Sequence, residues 1–154
     1  GFSNTSSAAT LPLSIKVCTE DMGVDDSIAS FVLPLGMTIN MDGTAIMQVI
    51  ATVFIAGCAG YDLTPMELVV IALLALLASV GTPAAPGAGA VILFTILSGV
   101  GFVNDKALLA YSLILAINRP IEMLVTSLNV VGDATSCICV AKSEGLLDDE
   151  KYNA

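Results

Sequence analysis

Asp42 is the residue for which a chemical role is most clearly predicted, because its charge stands alone in an apolar stretch. It is the single charged residue between positions 30 and 57, and that stretch is long enough to cross a bilayer, which takes about 20 apolar residues. An aspartate near the middle of a membrane helix costs roughly 2.5 to 3.5 kcal/mol on insertion scales, so it needs a partner. Asn40, Gly36 and Gly43 predict a helix break beside it that frees backbone carbonyl oxygens. Carboxylate and carbonyl oxygens are ligands that hard cations prefer, and we therefore predict a cation site here.

A stripe of polar residues marks the last apolar segment, residues 107–140. Its members recur every three or four positions and are Asn118, Glu122, Thr126, Asn129 and Asp133. This spacing places them on one face of a helix. Lipid would not accept such a face, so it is expected to line the interior of a bundle or a pore. Structural hydrogen bonding between helices is one interpretation, and the two carboxylates favour the other, which is binding of an ion or a substrate.

The elements that must position these residues are predicted to be membrane helices. Hydrophobic residues make up 56% of the chain and charged residues 12%, against roughly 25% charged in soluble domains. The net charge of −9 leaves no basic patch for nucleic acid. The sequence contains no histidine and shows no activated nucleophile, so we do not expect an enzyme. The four cysteines lie in or beside apolar segments and are predicted to be free thiols.

Two short apolar stretches, residues 68–80 and 90–102, flank a segment rich in glycine and proline. Each stretch is too short to span a bilayer comfortably, and residues 81–89 contain three glycines and two prolines. This pattern predicts a re-entrant helical hairpin with a flexible tip. A single kinked transmembrane helix is the alternative.

The amino-terminal segment is rich in hydroxyl groups up to residue 12 and amphipathic from residue 13 to 22. The hydroxyl-rich part is predicted to be a loop, either a linker with a helix cap or the tip of another re-entrant hairpin. At the other end, the acidic residues after position 141 predict a solvated tail. Three of the four lysines would lie on the same side as that tail, which indicates a cytoplasmic location.

Four motifs, in order along the chain, resemble those of the dicarboxylate/amino acid:cation symporters, a family that includes glutamate, aspartate and neutral amino acid transporters. The motifs are TSSAATLP at 5–12, LPLG at 33–36 with NMDGT at 40–44, SVGT at 79–82 with PGAG at 86–89, and NVVGD at 129–133. The resemblance covers essentially the whole chain.

The resemblance implies an all-α membrane protein with re-entrant hairpins and discontinuous transmembrane helices. It divides the chain into the end of a first hairpin (1–26), a broken helix (27–60), a second hairpin (66–103), a last transmembrane helix (105–141) and a cytoplasmic tail (142–154). The chain begins with Gly and shows no signal-peptide pattern in its first residues, and it is expected to be the C-terminal half of a member. It would act by an elevator mechanism in the plasma or inner cell membrane, within a homotrimer whose scaffold lies outside this sequence.

Sodium ions are the coupling ions that the resemblance implies, with no organic cofactor. One ion would be held by Asp133 and by backbone oxygens of Gly36, Asn40 and Asn129. A second would use backbone oxygens of Thr38, Ser79, Val80 and Thr82, with the Met41 sulfur nearby. A third would use Asp42 and the Asn40 side chain together with residues outside this sequence.

The resemblance also implies a binding site for an amino acid. Its amino group would face Glu122, and Thr126 and Asn129 would hold the amino group and the α-carboxylate. The other members of this site would be Ser7 and Gly89, through backbone groups, and Thr44 and Ala85, as pocket lining.

One departure from the family pattern concerns substrate charge. Members that take acidic substrates usually carry an arginine where this chain has Val125 or Thr5. Without that guanidinium a buried substrate carboxylate would lack its bidentate partner, so a neutral amino acid is favoured. Arg119 would assist an anionic substrate only if Pro120 turned it inward.

Two alternatives remain open at this point. In one, the protein is a proton-coupled symporter of dicarboxylates or acidic amino acids, with Glu122 as the proton carrier. In the other, it is a truncated membrane protein that does not transport.

Overall fold

In the computed structural model, residue 3 and residues 5–153 are described, and this part of the chain is helical with no strand. The α-helices are α1 (Ser7–Lys16), α2 (Asp26–Ile39), α3 (Asp42–Ala59), α4 (Pro65–Val80), α5 (Ala88–Val100), α6 (Asp105–Ser143) and α7 (Asp149–Tyr152), and a π-helical segment, Val17–Asp21, continues α1. An isolated antiparallel bridge joins Val24 to Leu147. The expectation of an all-α chain is confirmed.

Local sequence signals determine where several helices begin. Ser6, Asp25, Thr64 and Asn104 each accept a hydrogen bond from a backbone N–H of the first turn that follows. Such caps satisfy N–H groups that have no partner within the helix. At Thr64 the side chain of Glu67 also returns to the cap, which completes a capping box before Pro65.

The apolar segment around Asp42 is broken at two residues. Asn40 and Met41 separate α2 from α3, with φ and ψ of −106° and 75° for Asn40 and −111° and 57° for Met41. The break lies between the two glycines that predicted it, but Gly36 and Gly43 are themselves helical. Asp26–Ala59, taken with its break, and Asp105–Ser143 are 34 and 39 residues long and apolar enough to cross a membrane.

The glycine and proline-rich segment forms a non-helical tip, residues 81–87, between two separate helices. The helices on either side of it, α4 and α5, pack against each other and against α3. The segment is therefore a helix pair and not one kinked helix. The helix α6, in contrast, is continuous through Pro120.

Both ends of the chain differ from the sequence-based expectation. The helix α1 begins at Ser7 and includes Pro12, so most of the expected loop is helical, because the Ser6 cap starts the helix early. The acidic tail is not merely solvated. Its backbone pairs with the turn before α2, through Asp25 N–H to Leu146 O at 3.0 Å and Asp148 N–H to Gly23 O at 2.8 Å.

Two apolar cores lie at different levels along α6. The first includes Ile55, Ile71, Leu93 and Ile114 and joins α3, α4, α5 and α6. The second includes Cys18, Val24, Ala29, Leu33, Cys137 and Ala141 and joins the π-helical segment, α2 and α6. Between Ile114 and Cys137 the buried face of α6 is polar, and the candidate site lies at this level.

Candidate functional site

The polar stripe of α6 is buried. Asn118, Glu122, Thr126, Asn129 and Asp133 are each at most 9% exposed. Burial of this many polar groups stabilises a fold only if they find partners. The contacts of these five side chains therefore show what the site can bind.

The first four of these residues line a small cavity of about 50 Å³. The other walls come from the start of α1, the start of α3, and the tip with the start of α5. The lining residues are Thr5, Ser6, Ser7, Met41, Thr44, Met47, Thr82, Pro83, Ala84, Ala85, Gly89, Asn118, Glu122, Thr126 and Asn129. The structure thus places all seven residues of the expected substrate site, Ser7, Thr44, Ala85, Gly89, Glu122, Thr126 and Asn129, around one cavity.

Asn129 connects α6 to the first turn of α3. Its Oδ1 accepts a hydrogen bond from Gly43 N–H at 2.9 Å, and its Nδ2 donates to Thr44 Oγ1 at 3.1 Å. The Thr44 hydroxyl in turn donates to Met41 Sδ at 3.7 Å. Because both polar atoms of the Asn129 side chain are hydrogen-bonded, the orientation of its amide is fixed. These bonds hold the first turn of α3 against α6.

Asp133 lies beside the break between α2 and α3. Asn40 Nδ2 donates to Asp133 Oδ1 at 3.1 Å, and a Cβ placed on Gly36 would lie 2.7 Å from the same oxygen. A Cβ on Gly132 would lie 3.0 Å from Asn40 Nδ2 and 3.1 Å from Asp42 Oδ2. The two carboxylates therefore lie close to one amide, at a level where glycines let α2 and α6 approach. They differ in burial, because Asp133 is 5% exposed whereas Asp42, which the sequence predicted to be an enclosed charge, is exposed.

The residues expected around the first sodium ion are gathered more closely than those expected around the second. Thr38 and Val80 are exposed, whereas Met41, Ser79 and Thr82 are buried. The hydroxyls of Thr38, Ser79 and Thr82 each donate to a carbonyl three or four residues earlier. The helices that carry Thr38 and Ser79, α2 and α4, do contact each other.

Three side chains that the sequence analysis did not single out hold the tip and the start of α5. The Ser6 hydroxyl donates to Ala84 O at 2.8 Å, Gln48 Nε2 donates to Gly89 O at 2.7 Å, and the Tyr111 hydroxyl donates to Ala90 O at 3.0 Å. A signal for Gln48 was present, because Thr44, Gln48 and Thr52 recur every four residues on one face of α3.

Two acceptor oxygens in the cavity wall have no hydrogen-bond partner among the described residues. They are Asn118 Oδ1 and Glu122 Oε2, and both are buried. Glu122 Oε2 forms an ion pair at 3.6 Å with Arg119, whose side chain is 71% exposed, and Arg119 also donates to Thr5 Oγ1 at 3.2 Å. Arg119 is thus turned toward the site although α6 does not break at Pro120.

The arrangement can bind a ligand that carries hydrogen-bond donors. Among the described residues that line the cavity, Glu122 is the one with a formal charge. The described part of the chain holds no group of three or more His, Cys, Asp or Glu side chains suited to a metal. A pair of carboxylates with amide and carbonyl oxygens fits a hard monovalent cation better than a transition metal.

Comparisons with known proteins agree with this chemistry. A model of the sodium:dicarboxylate symporter family matches residues 1–143. Over 149 residues the chain is 41% identical to the putative sodium-dependent excitatory amino acid transporter glt-4 of Caenorhabditis elegans, covering 97% of this chain and 28% of that protein. It is 42% identical over 129 residues to excitatory amino acid transporter 2 of Homo sapiens, covering 84% of this chain and 22% of that protein. The chain therefore spans about a quarter of the length of these curated relatives.

Proposed function

Since the chain belongs to the sodium:dicarboxylate symporter family, we propose that it forms the C-terminal part of the transport domain of a sodium-coupled symporter for a neutral amino acid. Family membership makes it a membrane transport protein and not an enzyme. The observation that supports the proposal is the buried polar face of α6, which combines a small cavity with the Asp133 carboxylate between two apolar cores.

The proposed ion site lies beside Asp133. Asp133 is 5% exposed, and within the described part of the chain its carboxylate accepts one hydrogen bond, from Asn40. A bound cation would supply the compensation that a buried charge needs. Asp42 adds a second carboxylate near the same amide. Sodium is the proposed ion because the donors are oxygens and because the family is named for it.

The proposed substrate site is the 50 Å³ cavity. Glu122 would face the ammonium group of the substrate, and Thr126 and Asn129 would contact its amino group and α-carboxylate. Asn129 bonds Gly43 and Thr44 at the start of α3, so the same residue touches the substrate site and the broken helix. This shared position offers a route by which ion binding and substrate binding would affect each other.

A neutral substrate is proposed because no cationic side chain lines the cavity in the described part of the chain. A buried substrate carboxylate would face Glu122 without a bidentate partner. The relatives quoted above are named excitatory amino acid transporters, so an acidic substrate is the second candidate. It is favoured by Arg119, whose guanidinium already lies 3.6 Å from Glu122.

The helices α4 and α5 and the tip between them are the elements proposed to move during transport. We propose that they form a re-entrant hairpin that closes over the substrate, in a domain that moves by an elevator mechanism against a trimeric scaffold supplied by other parts of the protein. The tail after residue 141 is proposed to be cytoplasmic. The tethers from Ser6, Gln48 and Tyr111 to backbone carbonyls of this hairpin are the contacts such a closure would make and break.

The test is uptake by the full-length protein that contains this chain, reconstituted in proteoliposomes. A sodium gradient and a proton gradient are imposed separately, and radiolabelled serine, threonine, alanine, aspartate and glutamate are supplied. We expect uptake of neutral amino acids that requires the sodium gradient. Uptake driven by the proton gradient alone would support the proton-coupled alternative, and no uptake under either gradient would overturn the proposal.

Substrate charge is tested with Arg119→Gln in the same vesicles. A neutral substrate should be taken up with its KM changed by less than about threefold, because an exposed ion pair contributes about 0 to 1 kcal/mol. Uptake of aspartate by the unchanged protein that is lost in Arg119→Gln would instead establish the acidic alternative.

A further inference from the structure

Asn118 lies on the α6 stripe in the cavity wall, and no hydrogen bond joins its side chain to the described part of the chain. It is 6% exposed and lines the cavity, and its Oδ1 is buried without a partner. Asn129 differs from it, because Asn129 is bonded through both of its polar atoms.

An unpaired buried amide is unfavourable. A buried polar group without a partner costs about 1 to 3 kcal/mol, and most such groups in folded proteins are satisfied. The nearest residue of the same face, one turn along α6, is Glu122, whose Oε2 has no hydrogen-bond partner and lies 3.6 Å from Arg119. An ionised carboxylate only accepts hydrogen bonds, so Glu122 cannot supply the donor that Asn118 Oδ1 lacks.

Because both oxygens belong to the cavity wall, a ligand in the cavity is the candidate source of these donors. The ammonium group of an amino acid satisfies Glu122, which leaves Asn118 for the side chain of the substrate. A primary amide both donates and accepts hydrogen bonds, and so do a hydroxyl group and a second carboxamide. A hydrocarbon side chain does neither. A carboxylate accepts only, would leave Asn118 Oδ1 unpaired, and would be repelled by Glu122.

We propose that Asn118 is a specificity-determining residue that selects neutral amino acids whose side chain carries a hydroxyl or carboxamide group. This assignment rests on the proposed function of the cavity as a substrate site. It holds for either orientation of the Asn118 amide, because both its nitrogen and its oxygen find a complementary group on such a side chain.

The experiment compares threonine with valine, which have nearly the same shape and differ by a hydroxyl in place of a methyl group. Sodium-driven uptake of each is measured with the full-length protein in proteoliposomes, and the ratio of their kcat/KM values is determined. We expect threonine to be preferred at least about tenfold, since a site that bonds a substrate hydroxyl rejects the analogue that lacks it. In Asn118→Leu, and in the smaller Asn118→Ala, the ratio should fall to within about threefold of unity.

The matched control is Ser127→Ala on the same helix. Ser127 lies outside the cavity lining and its hydroxyl donates to Met123 O at 2.9 Å, so this variant should keep the wild-type ratio. Thermal stabilisation by sodium chloride in the absence of amino acid shows that each variant is folded.

The outcomes distinguish a failure of the Asn118 assignment from a failure of the proposed transport function. Loss of the threonine preference in the Asn118 variants, with transport of alanine retained, supports the assignment. A wild-type protein that transports both amino acids equally, or Asn118 variants with an unchanged ratio, overturns it and leaves the proposed transport function intact. Absence of sodium-driven uptake of every amino acid tested overturns both.

Discussion

Asp133 is the residue through which the α6 stripe meets the break between α2 and α3. Its carboxylate accepts from Asn40 and lies directly over Gly36, in a position that is 5% exposed. One hydrogen bond from a neutral amide is little compensation for a buried charge. We therefore expect a cation to be the further partner of the Asp133 carboxylate.

We predict that Asp133→Asn lowers sodium affinity at least tenfold, which is about 1.4 kcal/mol. The substitution keeps the shape of the side chain and an oxygen for Asn40 but removes the charge. Affinity is read from the sodium concentration that gives half of the maximal thermal stabilisation. Asp105→Asn is the control, because it makes the same change at an exposed position in the first turn of the same helix. Equal losses in the two variants would rule out the site at Asp133.

The sequence was informative about single residues where spacing revealed them. The four- and three-residue spacing of the α6 stripe predicted its buried face, and all the residues expected around the substrate lie at one cavity. The contacts of Ser6, Gln48 and Tyr111 could not be predicted in the same way. Their acceptors are backbone carbonyls 78, 41 and 21 positions away, and every residue type carries such a carbonyl.

At the scale of helices, the close approach of α2 to α6 depends on glycine. A methyl group at position 36 would lie 2.7 Å from Asp133 Oδ1, which is well inside van der Waals contact. From the sequence, the glycines at 36 and 43 predicted a break in the helix. Both are helical, and the break falls on Asn40 and Met41. Their low helix propensity weakens the segment, but tertiary contacts decide which residues leave the helix.

We predict that Gly36→Ala displaces the Asp133 carboxylate and lowers sodium affinity. Gly57→Ala is the matched control, because it lies inside α3 and a Cβ there would meet nothing within 4 Å. Since alanine is favoured over glycine within a helix by roughly 0.5 to 1 kcal/mol, the control should keep or raise the melting temperature and leave sodium affinity unchanged. A Gly36→Ala protein with wild-type sodium affinity would contradict the close packing of α2 against α6.

The two ends of α5 are held by different tyrosines. Tyr111 donates to Ala90 O at 3.0 Å near the tip, and Tyr61 donates to Gly101 O at 3.4 Å at the far end. The pattern of Gly and Pro in residues 81–89 predicted the tip itself, because two prolines end a helix. The tethers that fix its position depend on how the tip and α5 pack against the start of α1, α3 and α6.

We predict that Tyr111→Phe raises the KM for the substrate by about fivefold, as loss of one hydrogen bond of about 1 kcal/mol implies. The ring and its contact with Phe94 remain in this variant, so the effect reports the hydroxyl group alone. Tyr61→Phe keeps the stacking on Phe102 and removes a longer and more exposed bond, so its effect should be smaller. If Tyr61→Phe has the larger effect, the tether near the tip does not control substrate binding.

At the scale of the whole molecule, the carboxyl-terminal tail closes onto the turn before α2. Gly23 lies at this turn with φ of +71°, Val24 pairs with Leu147, and Lys151 Nζ donates to Thr19 O at 3.0 Å. The charge run predicted a solvated tail, and its charged side chains are indeed exposed. The pairing was not predictable, because it uses backbone groups of two segments more than a hundred residues apart.

This docking joins the tail that follows α6 to the turn between the π-helical segment and α2. We predict that Gly23→Ala releases the tail from this turn. A Cβ at position 23 would lie 2.8 Å from Asp148 O, and a left-handed backbone is strained for any residue with a side chain. Gly60→Ala is the control, because it introduces similar backbone strain without a close contact. Gly60 has φ of +80°, and an added Cβ there would meet nothing within 4 Å. Trypsin cleavage after Lys151, followed by mass spectrometry on the folded protein, should be several-fold faster in Gly23→Ala than in Gly60→Ala. Equal cleavage rates would mean that the tail is held by its own helical turn and that its contact with Gly23 does not restrain it.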